Sequence, residues 1–146
     1  MLSAIEGGGM KENLFVYGTL TQNHTEVNKL LGEGKLRFEC NGKIEAELYD
    51  LGAYPGAIEK RGAYVYGEVY EVDSEETLQK LDAYEGYYPE NPKRSLFTRQ
   101  KTEVTMEDGT KILATVYFYN KNVNGLKAVE SGKWNRKTAG KAKLGV

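Results

Sequence analysis

One cysteine, one histidine, one tryptophan and three prolines are all that the 146-residue chain holds of those types, and no apolar run approaches the roughly 18 residues that cross a bilayer. The lone Cys40 excludes an internal disulfide, and with His24 as the sole imidazole most zinc-ligand sets and nucleophile-plus-histidine arrangements are excluded as well. Neither sign of charge dominates. Lys and Arg number 20 and Asp and Glu 21, so there is no chain-wide basic field to collect nucleic acid or anionic lipid. With 40% hydrophobic and 28% charged residues, the expectation is one soluble, cytoplasmic domain with no nucleic-acid and no membrane partner. Carboxylate, tyrosine and backbone chemistry is what remains.

Tyrosine is abundant, 11 residues against 4 Phe. Its ring packs on half-buried strands while its hydroxyl finds a polar partner, which suits a strand-rich fold and the walls of polar pockets. The first nine residues end in Gly7-Gly8-Gly9 and lack a basic start followed by an apolar stretch. They read as a flexible leader rather than a secretory signal, with Met10 as an alternative start. The chain thus divides into a leader over 1–12, one domain over 13–136 and a basic tail over 137–146. Strands are expected over 14–17, 35–41, 45–50, 57–60 and 64–72, with a short helical patch over 25–31 and a turn at Gly52-Ala53-Tyr54-Pro55-Gly56. Asp73 and Glu76 form a helix-start pattern in which the first carboxylate caps the amides and the second answers it, so a helix over 74–84 follows, stopping near Gly86. Asp108-Gly109 joins strands over 96–106 and 111–120 in a hairpin. Strands that do not alternate regularly with helices point to an α+β fold with a largely antiparallel, curled or barrel-like sheet.

Two constellations could carry chemistry. At about 100° per residue, Glu85 lies about 20° from Leu78 around the helix, on the side of Leu81, so a carboxylate sits on the apolar stripe. The helix's negative end and burial both raise the pKa of such a group, which makes a base able to exchange protons near neutral pH. If the helix stops one residue earlier, Glu85 faces water instead. Glu75 and Glu76 lie in the first turn, where acids complement the macrodipole and stay solvated. The second constellation is Tyr17-Gly18-Thr19-Leu20, where a glycine turn after a strand can aim consecutive amides at a carboxylate or a developing oxyanion, or can simply turn. No phosphate-loop or dinucleotide glycine pattern occurs.

Cys40 reads as a small packing side chain, His24 as a solvent-exposed loop residue and Trp134 as the anchor of the chain's end on the core. Arg99 can bind a substrate carboxylate in fork geometry or, the preferred reading, pair with an acidic neighbour on the sheet. Lys133, Arg136, Lys137, Lys141 and Lys143 read as a solvated tail rather than an anion site.

Together Leu14-Phe15-Val16-Tyr17-Gly18-Thr19-Leu20, Gly67-Glu68-Val69-Tyr70-Glu71-Val72, Leu81-Asp82-Ala83-Tyr84-Glu85-Gly86-Tyr87, Val116-Tyr117-Phe118-Tyr119 and Ser131-Gly132-Lys133-Trp134 resemble, in this order, the γ-glutamylcyclotransferase-like proteins. The resemblance spans about residues 14–135 and points to the branch of γ-glutamylamine cyclotransferases and plant AIG2-like proteins. It implies a small mixed, mainly antiparallel β-barrel with a flanking helix. Glu85 would be the general acid/base, with Tyr17, Gly18, Thr19 and Leu20 holding the γ-glutamyl end of a small-molecule substrate. The family commonly carries Tyr-x-Arg after the Glu-Gly turn, where this chain has Phe97-Thr98-Arg99; Tyr87, Tyr88 and Arg99 are candidates for the pocket wall. The implied reaction is closure of the substrate's α-amine on its γ-carbonyl, releasing 5-oxoproline, with no cofactor and no metal. A binding or regulatory protein that retains the pocket without turnover is the alternative, and the oligomeric state, a homo-oligomer included, stays open.

Overall fold

The structure is a computed structural model that describes residues 12–18 and 34–134. Thr19, Leu20, His24, the expected patch over 25–31, the start of the leader and the basic tail lie outside the described residues. In chain order the elements are β1 (Glu12–Val16), β2 (Leu36–Asp50), β3 (Pro55–Val72), α1 (Glu75–Glu85), a 3-10 turn (Pro92–Arg94), β4 (Phe97–Met106), β5 (Lys111–Tyr119) and β6 (Lys127–Ala128). Hydrogen bonding runs β3-β1-β5-β4-β2-β6, and pairing of β2 with β3 closes the first five strands on themselves. The central pair β1–β5 is parallel, Leu14 facing Thr115, while β1–β3, β2–β3, β2–β4 and β4–β5 are antiparallel. The chain is therefore an α+β protein with a closed mixed, mainly antiparallel barrel and a flanking helix. No helix among the described residues is long and apolar enough to cross a membrane.

Three expectations need correction. The strands expected over 35–41 and 45–50 are one strand, β2, and those over 57–60 and 64–72 are one strand, β3. The Gly42-Lys43 interruption is not a turn, because Gly42 faces Gly67 across the hairpin where neighbouring strands approach too closely for side chains. A Cβ on Gly67 would stand 2.1 Å from the Val16 carbonyl oxygen, and one on Gly42 would stand 2.9 Å from Val104 Cγ1. Glycine inside a strand here marks the tight corner of a barrel. The expected gap at residues 61–63 lies within a bulge over 60–63: pairing steps from Glu45–Tyr64 to Ala46–Glu59, and the Gly62 amide donates to Glu45 Oε2 at 3.2 Å. Glu12, expected in the leader, belongs to β1 and takes an ion pair from Lys101 at 2.9 Å.

Strand alternation separates two apolar layers. Phe15, Tyr17, Ile44, Leu48, Val69 and Val116 fill the barrel, while Leu14, Val16, Tyr70 and Tyr117 face outward and meet Leu78 and Leu81 of α1. β1 is thus covered on both faces, and its end, from which Tyr17 and Gly18 emerge, is set by packing on either side. The 107–110 turn joins β4 and β5 as its Asp-Gly sequence predicts. Trp134 joins the barrel core, and the segment before it is strapped on by Val129 N–H to the Leu48 carbonyl at 2.8 Å and Tyr66 N–H to the Gly132 carbonyl at 2.9 Å.

Candidate active site

Local sequence determines how α1 presents its end. Ser74, not Asp73, is the N-cap: its extended backbone lets the side chain accept from the Thr77 amide, while Asp73 accepts from the Thr77 hydroxyl. Glu75 and Glu76 occupy the first turn, and Gly86 closes the helix at φ 73°, a conformation that costs glycine little. Leu78, Leu81, Asp82 and Glu85 form the buried stripe at helical spacing. Glu85 is the last helical residue and is 4% exposed, so the helix does not stop short of it.

Three tyrosines lie within electrostatic reach of this carboxylate. Burial drives the Tyr17 hydroxyl far above its ordinary pKa, a bond from the Ala57 amide works against that, and Glu85 adds to the rise. At Tyr54 burial again leads and Glu85 adds to it. At Tyr117 burial leads, followed by the bond to Asp82 and the Asp82 charge, with a smaller contribution from Glu85. All three are neutral phenols at neutral pH. Tyr17 Oη donates to the Tyr117 carbonyl at 2.6 Å and accepts from Ala57 N–H at 3.1 Å, so its hydroxyl is committed to the frame. Gly18 follows, buried.

The other expected wall residues divide. Tyr87 is half-buried against the helix–barrel layer and its amide donates to the Asp82 carbonyl at 2.9 Å. Tyr88 is 40% exposed, with the Arg94 guanidinium 4.9 Å from its ring centre. Arg99 pairs with acids, though with two on the helix rather than one on the sheet: Nη2 reaches Glu75 at 3.1 Å and Nη1 lies 3.5 Å from Asp82. Burial opposes its charge, but Asp82 and Glu75 outweigh that and hold it above its ordinary value. Residue-by-residue reading missed Tyr54. It stands in the turn before β3, its ring 6.1 Å from Phe97, which in turn meets Tyr119 at 5.5 Å. Tyr54 thus sets its ring beside Phe97; the only trace in the sequence was a tyrosine within a Gly/Pro turn.

The site so described is a buried helix-end carboxylate whose charge reaches three phenols, on the helix that packs against the strand leading into Gly18. Residues 14–136 match the family described as gamma-glutamyl cyclotransferase, AIG2-like. The chain belongs to this family. The gamma-L-glutamyl-butirosin B gamma-glutamyl cyclotransferase of Niallia circulans is 37% identical over 119 residues, covering 81% of this chain and 73% of that protein. Among solved structures, an AIG2-like protein from Mus musculus superposes with a TM-score of 0.65 at 23% identity, over 86% of this chain and 88% of the other, a likeness of fold. YkqA from Bacillus subtilis superposes with a TM-score of 0.62 at 27% identity over 86% of this chain, and the chain spans 40% of its length. As a gamma-glutamyl cyclotransferase family member, the chain keeps its family match across β1, the helix and the Trp134 strap together.

Proposed function

We propose that the protein releases 5-oxoproline from a γ-glutamyl amine or peptide. The observation that carries this is Glu85: a carboxylate 4% exposed, at the end of the helix that packs on the strand leading into Gly18, in a chain whose family match runs through both elements. The substrate brings its own nucleophile. Its α-amine nitrogen attacks the γ-carbonyl carbon, a five-membered lactam forms, and the bond from that carbon to the departing nitrogen breaks. One proton leaves the attacking nitrogen and one reaches the leaving nitrogen, so a single carboxylate at Glu85 accepts the first and returns it as the second. Joining two groups already tethered in one molecule needs orientation more than a protein nucleophile, which fits a chain with a single histidine. The Gly18 amide, with Thr19 and Leu20 beyond it, is assigned to the carbonyl oxygen as negative charge develops there. The name of the Niallia circulans relative supports a γ-glutamyl group joined to an amine as the substrate class.

The test is incubation with a panel of γ-glutamyl amines and peptides and detection of 5-oxoproline by mass. Turnover by the native protein, with loss of about 10²- to 10⁴-fold in kcat for Glu85→Gln in a folded variant, is the expected result. Retained activity in that variant removes Glu85 from the role. Binding of panel compounds without any product would instead make the protein a pocket-bearing binding module, the outcome toward which the missing hydroxyl at Phe97 leans.

A further inference from the structure

The helix buries a second acid that the reaction leaves unused. Asp82 lies one turn before Glu85 and is 5% exposed. Tyr117 Oη donates to Asp82 Oδ1 at 2.6 Å and lies 3.3 Å from the Leu78 carbonyl oxygen, while Arg99 approaches Asp82 Oδ2 at 3.5 Å and ties the start of the same helix through Glu75. The carbonyl of Tyr117 accepts from Tyr17, whose hydroxyl accepts from the Ala57 amide. One continuous set of contacts therefore runs from the helix, through β5, to the residue before Gly18 and across to β3.

Burial works against the Asp82 carboxylate and pushes its pKa up, while the Tyr117 hydroxyl and the Arg99 charge pull it back and Glu75 adds a small rise. An apolar side chain would occupy this position without that desolvation cost, so what the acid adds is direction. The Gly86 cap closes the backbone of the last turn, but with 11 residues the helix is shorter than the length at which an isolated helix holds in water, and no basic residue in that turn ties a side chain to the barrel. We propose that Asp82 is a positioning residue, which through Tyr117 and Arg99 fixes the last turn of α1, and with it Glu85, at a set distance from Tyr17 and Gly18. Its catalytic consequence rests on the cyclotransferase reading; its structural part does not.

The experiment compares Asp82→Asn and Tyr117→Phe, which keep side-chain shape, with Glu103→Gln, a change in an exposed ion pair of the β4–β5 hairpin 3.7 Å from Lys111. Amide hydrogen exchange is read at residues 82–86 and in the hairpin, alongside kcat and KM for 5-oxoproline release. The two site variants are expected to exchange about tenfold faster at 82–86 with the hairpin unchanged. Their kcat should fall by about 10- to 100-fold with KM within about threefold, and Glu103→Gln should match the native protein throughout. Native exchange at 82–86 in both site variants overturns the proposal, as does a kcat loss no larger than their unfolded fraction. If the native protein turns over no γ-glutamyl compound, the cyclotransferase reading falls alone and the exchange pattern still decides whether Asp82 holds the turn.

Discussion

Replacing Gly67 with alanine adds one methyl group at the tightest strand crossing near the site. The new Cβ would stand 2.1 Å from the Val16 carbonyl oxygen and 2.9 Å from Phe15 Cζ, both in β1, against the 3.0 Å that such contacts respect. The first contact is with backbone, so no rotamer change relieves it. β1 must move by about 1 Å, and overpacking of this kind costs about 1–3 kcal/mol. For a chain of this length each kcal/mol lowers the melting temperature by about 3 °C, so a fall of about 3–10 °C is expected by circular dichroism. The same displacement is delivered to Tyr17 and Gly18, which continue β1 directly, and a shift of that size at a catalytic wall reduces kcat by about tenfold or more in the protein that remains folded. Urea unfolding with an unchanged slope would place the effect in the native state. A variant that melts within about 1 °C of the native protein and turns over at the native rate refutes the idea that this crossing positions the site.

Tyr17→Phe removes the acceptor of the buried Ala57 amide and the donor to the Tyr117 carbonyl, so the urea midpoint should report a loss of about 1–3 kcal/mol; a change of a few tenths would mean that those groups find other partners. Asp73 gives the acid limb a signature. Burial is the largest single influence and works against its carboxylate, but the Thr77 hydroxyl, Lys35 and Ser74 together outweigh it and hold the pKa below the ordinary 3.8. The stability it contributes is therefore present above that value and lost as pH falls through the lower folded one. Asp73→Asn should flatten the decline in melting temperature over about pH 5 to 2, and an acid limb identical to the native one would show that Asp73 does not titrate in this way.

The Asp-Gly hairpin, the helix and its buried stripe, and the place of Glu85 on that stripe could all be read from the chain, because each depends on signals within a dozen residues: a turn dipeptide, a cap, a helical period. The N-cap shifted by one residue for the same local reason, since Ser74 and Asp73 compete for the Thr77 groups and only the backbone conformation separates them. The unity of β2 and of β3 was not legible. A glycine in a strand-like run looks like a turn until the strand behind it is known, and here Val16 and Val104 are the reason for the glycines at 67 and 42.

Sequence alone determined an α+β chain with a carboxylate on the apolar side of its helix, because periodicity is a property of neighbours along the chain. Only the closed barrel decided which groups feel the charge of that carboxylate. Tyr54, Tyr117 and Tyr17 come from three distant segments, and Arg99 ties Asp82 to Glu75 from a fourth. Contacts between strands that pair non-sequentially follow from register and closure, which no local pattern encodes.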